Sequence, residues 1–170
     1  FAQVFYVTAS NPGGPMTAPI VTSHAAGSLP TIAVQQDTIL YGIGERDRCV
    51  GWIGGGPQIP ATGYGPSYTF SSGINADNTI NWSWRREYRV VTFTEGIGSG
   101  SIIGVLNDTW HTNGTLLNLT ALPGANSIFA GWSRLTGVQL IAGTTGTATI
   151  QVRIVGQAEI AAAFSLSTEP

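Results

Sequence analysis

Along Thr147–Val155 the chain alternates strictly, with Ala148, Ile150, Val152 and Ile154 on one side and Thr147, Thr149, Gln151 and Arg153 on the other. Successive side chains of a strand point to opposite faces, so the pattern predicts a strand with one apolar and one wet face. The preceding Leu135–Ala142 is rich in β-formers, and Gly143–Gly146 (GTTG) supplies the turn that makes the two a hairpin. Further strands are predicted at Phe1–Thr8, Thr31–Val34, Thr38–Ile43, Asn81–Phe93, Ser101–Leu106, Leu116–Ala121 and Ser127–Trp132. No stretch repeats apolar residues at helical spacing over three turns. The one helical candidate, Ala158–Phe164 (AEIAAAF), reads equally as a strand extension. The connections Asn11–Pro30 and Gly54–Gly73 are too long for hairpins. The expectation is therefore an all-β fold, a single β-sandwich domain over 1–170 with about eight strands and jelly-roll or Greek-key connectivity.

Composition narrows the function. Only 9% of the 170 residues are charged, and all seven cations are arginine, because the chain has no lysine. A net charge of −2 excludes a polybasic binder of nucleic acid or membrane surfaces for the chain as a whole. No apolar run is long enough for a membrane-spanning helix. The first residue is Phe1 and no leader pattern precedes it, so the chain is expected to be a processed product or a shortened one. Cys49 is the single cysteine, which excludes an intrachain disulfide and a multi-cysteine zinc site.

Candidate catalytic chemistry is sparse. His111 sits in Asn107–Asn113 (NDTWHTN) beside Asp108, and His24 lies in a Ser/Ala/Gly-rich stretch without a companion carboxylate. Both read as polar loop residues, and no enzyme activity is expected. The glycine patterns at Gly42–Gly44 and Gly96–Gly100 do not complete a phosphate-binding motif and read as turns. Asp37, Asp47, Asp77, Glu95 and Asp108 are scattered singly, so neither a metal nor another cofactor is expected, unless separate loops or subunits bring carboxylates together on calcium. Four sequons, at Asn81, Asn107, Asn113 and Asn118, could accept glycans in a glycosylating compartment.

Two arginine-bearing segments stand out. Glu45–Arg48 (ERDR) alternates in sign, which suits local or intersubunit ion pairs more than phosphate binding, and Arg46, Asp47 and Arg48 are expected at a subunit interface. In Trp82–Arg89 (WSWRREYR), three arginines lie among aromatic rings, a combination able to hold bases and phosphates of single-stranded nucleic acid. Arg85, Arg86 and Arg89 are the expected nucleic-acid contacts. On a strand Trp82, Trp84, Arg86 and Tyr88 share one face, while Ser83, Arg85, Glu87 and Arg89 share the other.

A monomer of this size ordinarily guards its sheet edges with charge, lysine above all. So few charges imply a surface covered by identical subunits or by sugars. The stretch Ser127–Glu159 (SIFAGWSRLTGVQLIAGTTGTATIQVRIVGQAE), about a fifth of the chain, resembles the closing strands of the shell domain in coat proteins of small icosahedral positive-strand RNA viruses, of the nodavirus and tetravirus kind. The shared features are a tryptophan-led strand, a Gly/Thr turn, and a TxQVRIV strand followed by an acidic residue. The resemblance implies a jelly-roll capsid subunit located in the virion, with copies of itself and genomic RNA as partners. The basic N-terminal arm of such coats is absent from 1–170, and Ala161–Pro170 lacks an amphipathic membrane-active peptide. The only Asn-Ala pair followed by a carboxylate, Asn75-Ala76-Asp77, is mid-chain, so self-cleavage does not carry over. A second reading is a secreted or surface filament subunit in which Phe1–Thr8, with Phe1, Val4 and Tyr6 at the interface, adds to a neighbour's sheet. A third is a carbohydrate-binding sandwich with Trp52, Tyr64 and Tyr68 as a stacking platform.

Overall fold

A computed structural model describes residues 2–11 and 19–167. Among them every regular element is a β-strand, so the expected all-β class is the one observed. The thirteen strands are β1 (Val4–Ser10), β2 (Ile20–Ala25), β3 (Thr31–Ala33), β4 (Thr38–Leu40), β5 (Glu45–Gly55), β6 (Thr62–Tyr64), β7 (Ser67–Thr69), β8 (Asn78–Gly96), β9 (Gly100–Ile103), β10 (Thr109–Thr112), β11 (Leu116–Pro123), β12 (Ser127–Ala142) and β13 (Thr149–Leu166). Eleven of them belong to one large mixed sheet, and β3 with β7 forms a second small one, an arrangement consistent with a β-sandwich. The pairings β1–β8 and β8–β13 are parallel, a departure from the antiparallel pairing of a jelly roll.

The described chain divides into two compact units, Phe1–Ile39 with Asp47–Arg85, and Leu40–Arg46 with Arg86–Pro170. In the first unit, β1 pairs antiparallel with β2 and parallel with the start of β8. Its core gathers Val7, Ile32, Trp52, Phe70, Ile74, Ile80 and Trp82. Tyr68 stands edge-on to both Trp52 and Phe70, at 5.0 and 5.1 Å between ring centroids. β5 and β6 approach so closely that a Cβ on Gly63 would enter the Trp52 indole, which is why glycine occupies that position.

The second unit is organised by β13. Its residues 150, 152, 154, 158, 160, 162 and 164 are all buried, one inward face held over fifteen positions. One edge of β13 carries β12 along its length, while the other carries β11 antiparallel and then β8 parallel. Leu117, Leu119, Ala121, Val90 and Trp132 close the core, each large side chain contributing about 1.5–3 kcal/mol by leaving water.

Several expectations are corrected here. Of the two readings open for Ala158–Phe164 the strand extension is the one observed, with Ala161 and Ala162 buried where β8 and β12 flank them. Ser127–Trp132 and Leu135–Ala142 form one strand, kept continuous by four register irregularities that absorb extra residues. The presumed long connections contain β2, β6 and β7, and the polar NDTWHTN segment contains β10. The Gly96–Gly100 pattern is a turn, as expected, but one shaped around Phe164. Gly98 N–H donates to the Phe164 carbonyl at 3.0 Å, and Gly100 leaves no room for a Cβ against the Phe164 ring.

Candidate functional site

The segments ERDR and RREYR lie on β5 and β8, two paired strands. In the second unit Arg46 donates from Nε to Glu87 Oε2 at 2.7 Å, and its Nη2 lies 2.7 Å from the same oxygen in an ion pair. Glu87 is only 3% exposed, and a carboxylate so far from water is tolerated because it is paired and hydrogen-bonded. The Arg46 guanidinium also lies 4.2 Å above the Trp110 ring, which β10 supplies. Neighbouring His111 is half-buried, and burial pushes its pKa below 6.5 against the opposing pull of the Glu87 charge. His111 Nε2 lies 2.8 Å from the Thr109 hydroxyl. That hydroxyl also lies 2.8 Å from the Leu106 carbonyl, to which it can donate.

The remaining arginines of this unit with described carboxylate partners are held in the same manner. Arg86 pairs with Glu45 and lies over Tyr41, 4.8 Å from its centroid. Arg89 grips Asp108 with Nε and Nη2, the latter 2.9 Å from Oδ2, and this hydrogen bonding holds the Asp108 carboxyl below its usual range. Arg134 bridges Glu95 and Glu159 over the Phe93 ring. Of the local and intersubunit ion pairs open to Arg46, a local one is formed, and Arg86 and Arg89, expected on nucleic acid, are likewise paired with acids of their own chain.

The first unit holds the other expected residues. Asp47 is buried at 5% exposure, whereas Arg48 and Arg85 are exposed on β5 and β8. These two, the only cations of the unit, line one open groove of about 490 Å³ together with Asp37, Cys49 and Tyr64. Burial raises the pKa of the Cys49 thiol, and the Asp37 charge adds to the effect. Tyr64 is 96% exposed, but Trp52 is buried and Tyr68 belongs to the aromatic core. The proposed three-ring sugar platform is therefore not assembled as one face. A smaller cavity of about 170 Å³ is lined by Trp82, Ile32, Thr22 and His24, with His24 Nε2 2.8 Å from the Thr22 hydroxyl.

Val4 and Tyr6, expected at a subunit interface, are exposed, while Phe1 lies outside the described residues. Both edges of β1 are taken, by β2 and by β8, so the strand expected to add to a neighbour's sheet is already internal. In the large sheet the described strands with a single partner, and so one unfilled edge, are β2, β4, β6, β9, β10 and β12. The outer edge of β12 is partly occupied by its own turn, since Trp132 N–H donates to the Thr145 carbonyl at 2.8 Å. β9 pairs with β11 alone. It lies in Gly96–Leu106, which carries no charge and exposes Ile97, Ile103 and Leu106.

Three sequon asparagines use their side-chain oxygens internally: Asn81 accepts from Ser10, Asn107 from the Thr92 N–H and Asn118 from Gln151. Asn113 is exposed on the β10–β11 turn. No three-residue metal-ligating cluster occurs among the described residues, and no described helix is long and apolar enough to cross a membrane. Comparison with protein families, curated proteins and solved structures finds no match.

Proposed function

We propose that this chain is a structural self-assembling subunit, a coat protein whose copies pack through apolar sheet edges into a closed shell around a genome. The observation that carries the reading is the uncharged β9 edge, flanked by exposed Ile97, Ile103 and Leu106 on a chain without a single lysine. Soluble monomers protect such edges with charge, bulges or a covering loop, and here a second subunit does so. The pairing of most arginines with acids of the same chain supports a subunit whose contacts are mainly apolar. The jelly-roll connectivity and the icosahedral virion location belong to this proposal through the Ser127–Glu159 resemblance. Genomic RNA belongs to it through Arg85, Arg86 and Arg89, with the requirement that phosphates displace their present partners, Glu45 at Arg86 and Asp108 at Arg89 among them.

The test is negative-stain electron microscopy of natively purified protein, with the ultraviolet absorbance ratio of the same fraction. Closed shells with nucleic-acid absorbance are the expected result. Dispersed monomers at high concentration and neutral pH overturn the reading, and filaments replace it with a fibre subunit joined through β2 or β9.

A further inference from the structure

We infer that the groove between Arg48, Arg85, Asp37 and Tyr64 binds an acidic sugar, a carboxylate-bearing hexose unit of a polysaccharide. The inference goes beyond the assembly reading and does not depend on it; at Arg85 alone the two compete, since a sugar there leaves the RNA contact to Arg86 and Arg89. Three observations converge on the groove. Both cations of the first unit line it, although that unit carries only two. Tyr64, whose ring is 96% exposed, stands at its wall. The backbone that presents Tyr64 is held at both ends: Tyr64 is in register with Gly51 on β5, and Gly65 N–H donates to the Val50 carbonyl at 3.2 Å. An aromatic ring held out in water on a fixed hairpin is ready to stack without losing much freedom on binding.

The ligand class follows from the mixture of charges. Guanidinium forks match a carboxylate bidentately. Asp37 suits sugar hydroxyls, which donate to a carboxylate, whereas phosphodiester oxygens only accept and have nothing to offer it. The Tyr64 face suits the apolar side of a sugar ring. A volume of about 490 Å³ accommodates a ligand of small-molecule size. Two arginines beside one carboxylate therefore favour a sugar that carries one acid group per ring over single-stranded nucleic acid, which needs a longer basic track.

The experiment titrates the dispersed full chain with hexagalacturonate by calorimetry, with maltohexaose and hexauridylate as comparison probes. Hexagalacturonate should bind, maltohexaose should bind at least about tenfold more weakly, and the difference should shrink at high salt. Arg48→Gln and Tyr64→Ala should each weaken hexagalacturonate binding about tenfold with unchanged circular dichroism. Tyr64→Ala removes an exposed ring, so it reads binding without disturbing the core. The inference is overturned if hexagalacturonate does not bind, if the two variants bind it as the parent does, or if hexauridylate binds more tightly. Because the titration uses dispersed protein, its failure leaves the shell measurement standing, and the reverse holds as well.

Discussion

Arg46→Met is the sharpest test of how the second unit tolerates a buried carboxylate. The substitution keeps the apolar stem of the side chain but removes the hydrogen bond and ion pair to Glu87 Oε2 and the cation above Trp110. Removing one partner of a buried pair costs about 3–5 kcal/mol. Arg46 retains some contact with water, at 21% side-chain exposure, which places the loss at the low end, about 3 kcal/mol. About 1 kcal/mol of that belongs to the Trp110 contact. With a urea dependence of about 2 kcal/mol per molar, the unfolding midpoint followed by circular dichroism should fall by about 1.5 M. The companion variant Arg46→Met with Glu87→Met replaces the pair with apolar groups of similar length, and should return to within about 1 kcal/mol of the parent. A double variant as unstable as the sum of the two single ones would refute the reasoning, because it would show no coupling between the two charges.

Three further outcomes are expected. Leu119→Ala empties a fully buried position between β11 and β13 and should lower stability by about 3 kcal/mol, read as a fall in thermal midpoint. Gly104 has φ +102° and no room for a Cβ against the Asn118 carbonyl, so Gly104→Ala should cost at least about 2 kcal/mol in the same scan. His111 has a depressed pKa in the folded state, so the unfolded chain takes up a proton first as pH falls below 6.5 and the folded state loses stability through that range. His111→Gln removes this loss. The stability of the parent relative to the variant should be constant above pH 6.5 and fall as pH drops from there through the lower folded value, as urea midpoints at about pH 5 and about pH 8 would show.

The strands that could be read from sequence were those with one wet face. Thr147–Val155 alternates because its Thr149, Gln151 and Arg153 side chains remain at or near solvent while Ile150, Val152 and Ile154 pack inward. Ala158–Phe164 has no such contrast, since it is buried on both faces, and its alanines fit close strand packing as readily as a helix. β8 breaks the simple two-face reading for a related reason. Its buried positions switch from Ile80 and Trp82 to Glu87, an inward acid whose burial depends on Arg46, forty-one residues away in sequence. The arginines themselves were visible, but not their partners, because Glu45, Glu87 and Asp108 meet them only through strand pairing. The Tyr64 groove was half legible. The exposed tyrosine was singled out with two rings that fold into the core, while the arginines that flank it were assigned elsewhere.

The central position of β13 bears on how the chain is made. Its partners β8, β11 and β12 are all synthesised earlier, so the second unit waits for its middle strand. From Leu116 to Leu166 a ribosome adding roughly 5–20 residues per second needs about 3–10 seconds, during which β8 and β11 offer open hydrogen-bonding edges to other nascent chains. Neighbouring copies on one message are then the nearest competitors for those edges. Slow codons ahead of Thr149 would lengthen this exposure, and a chaperone that shields extended segments would matter most in that interval.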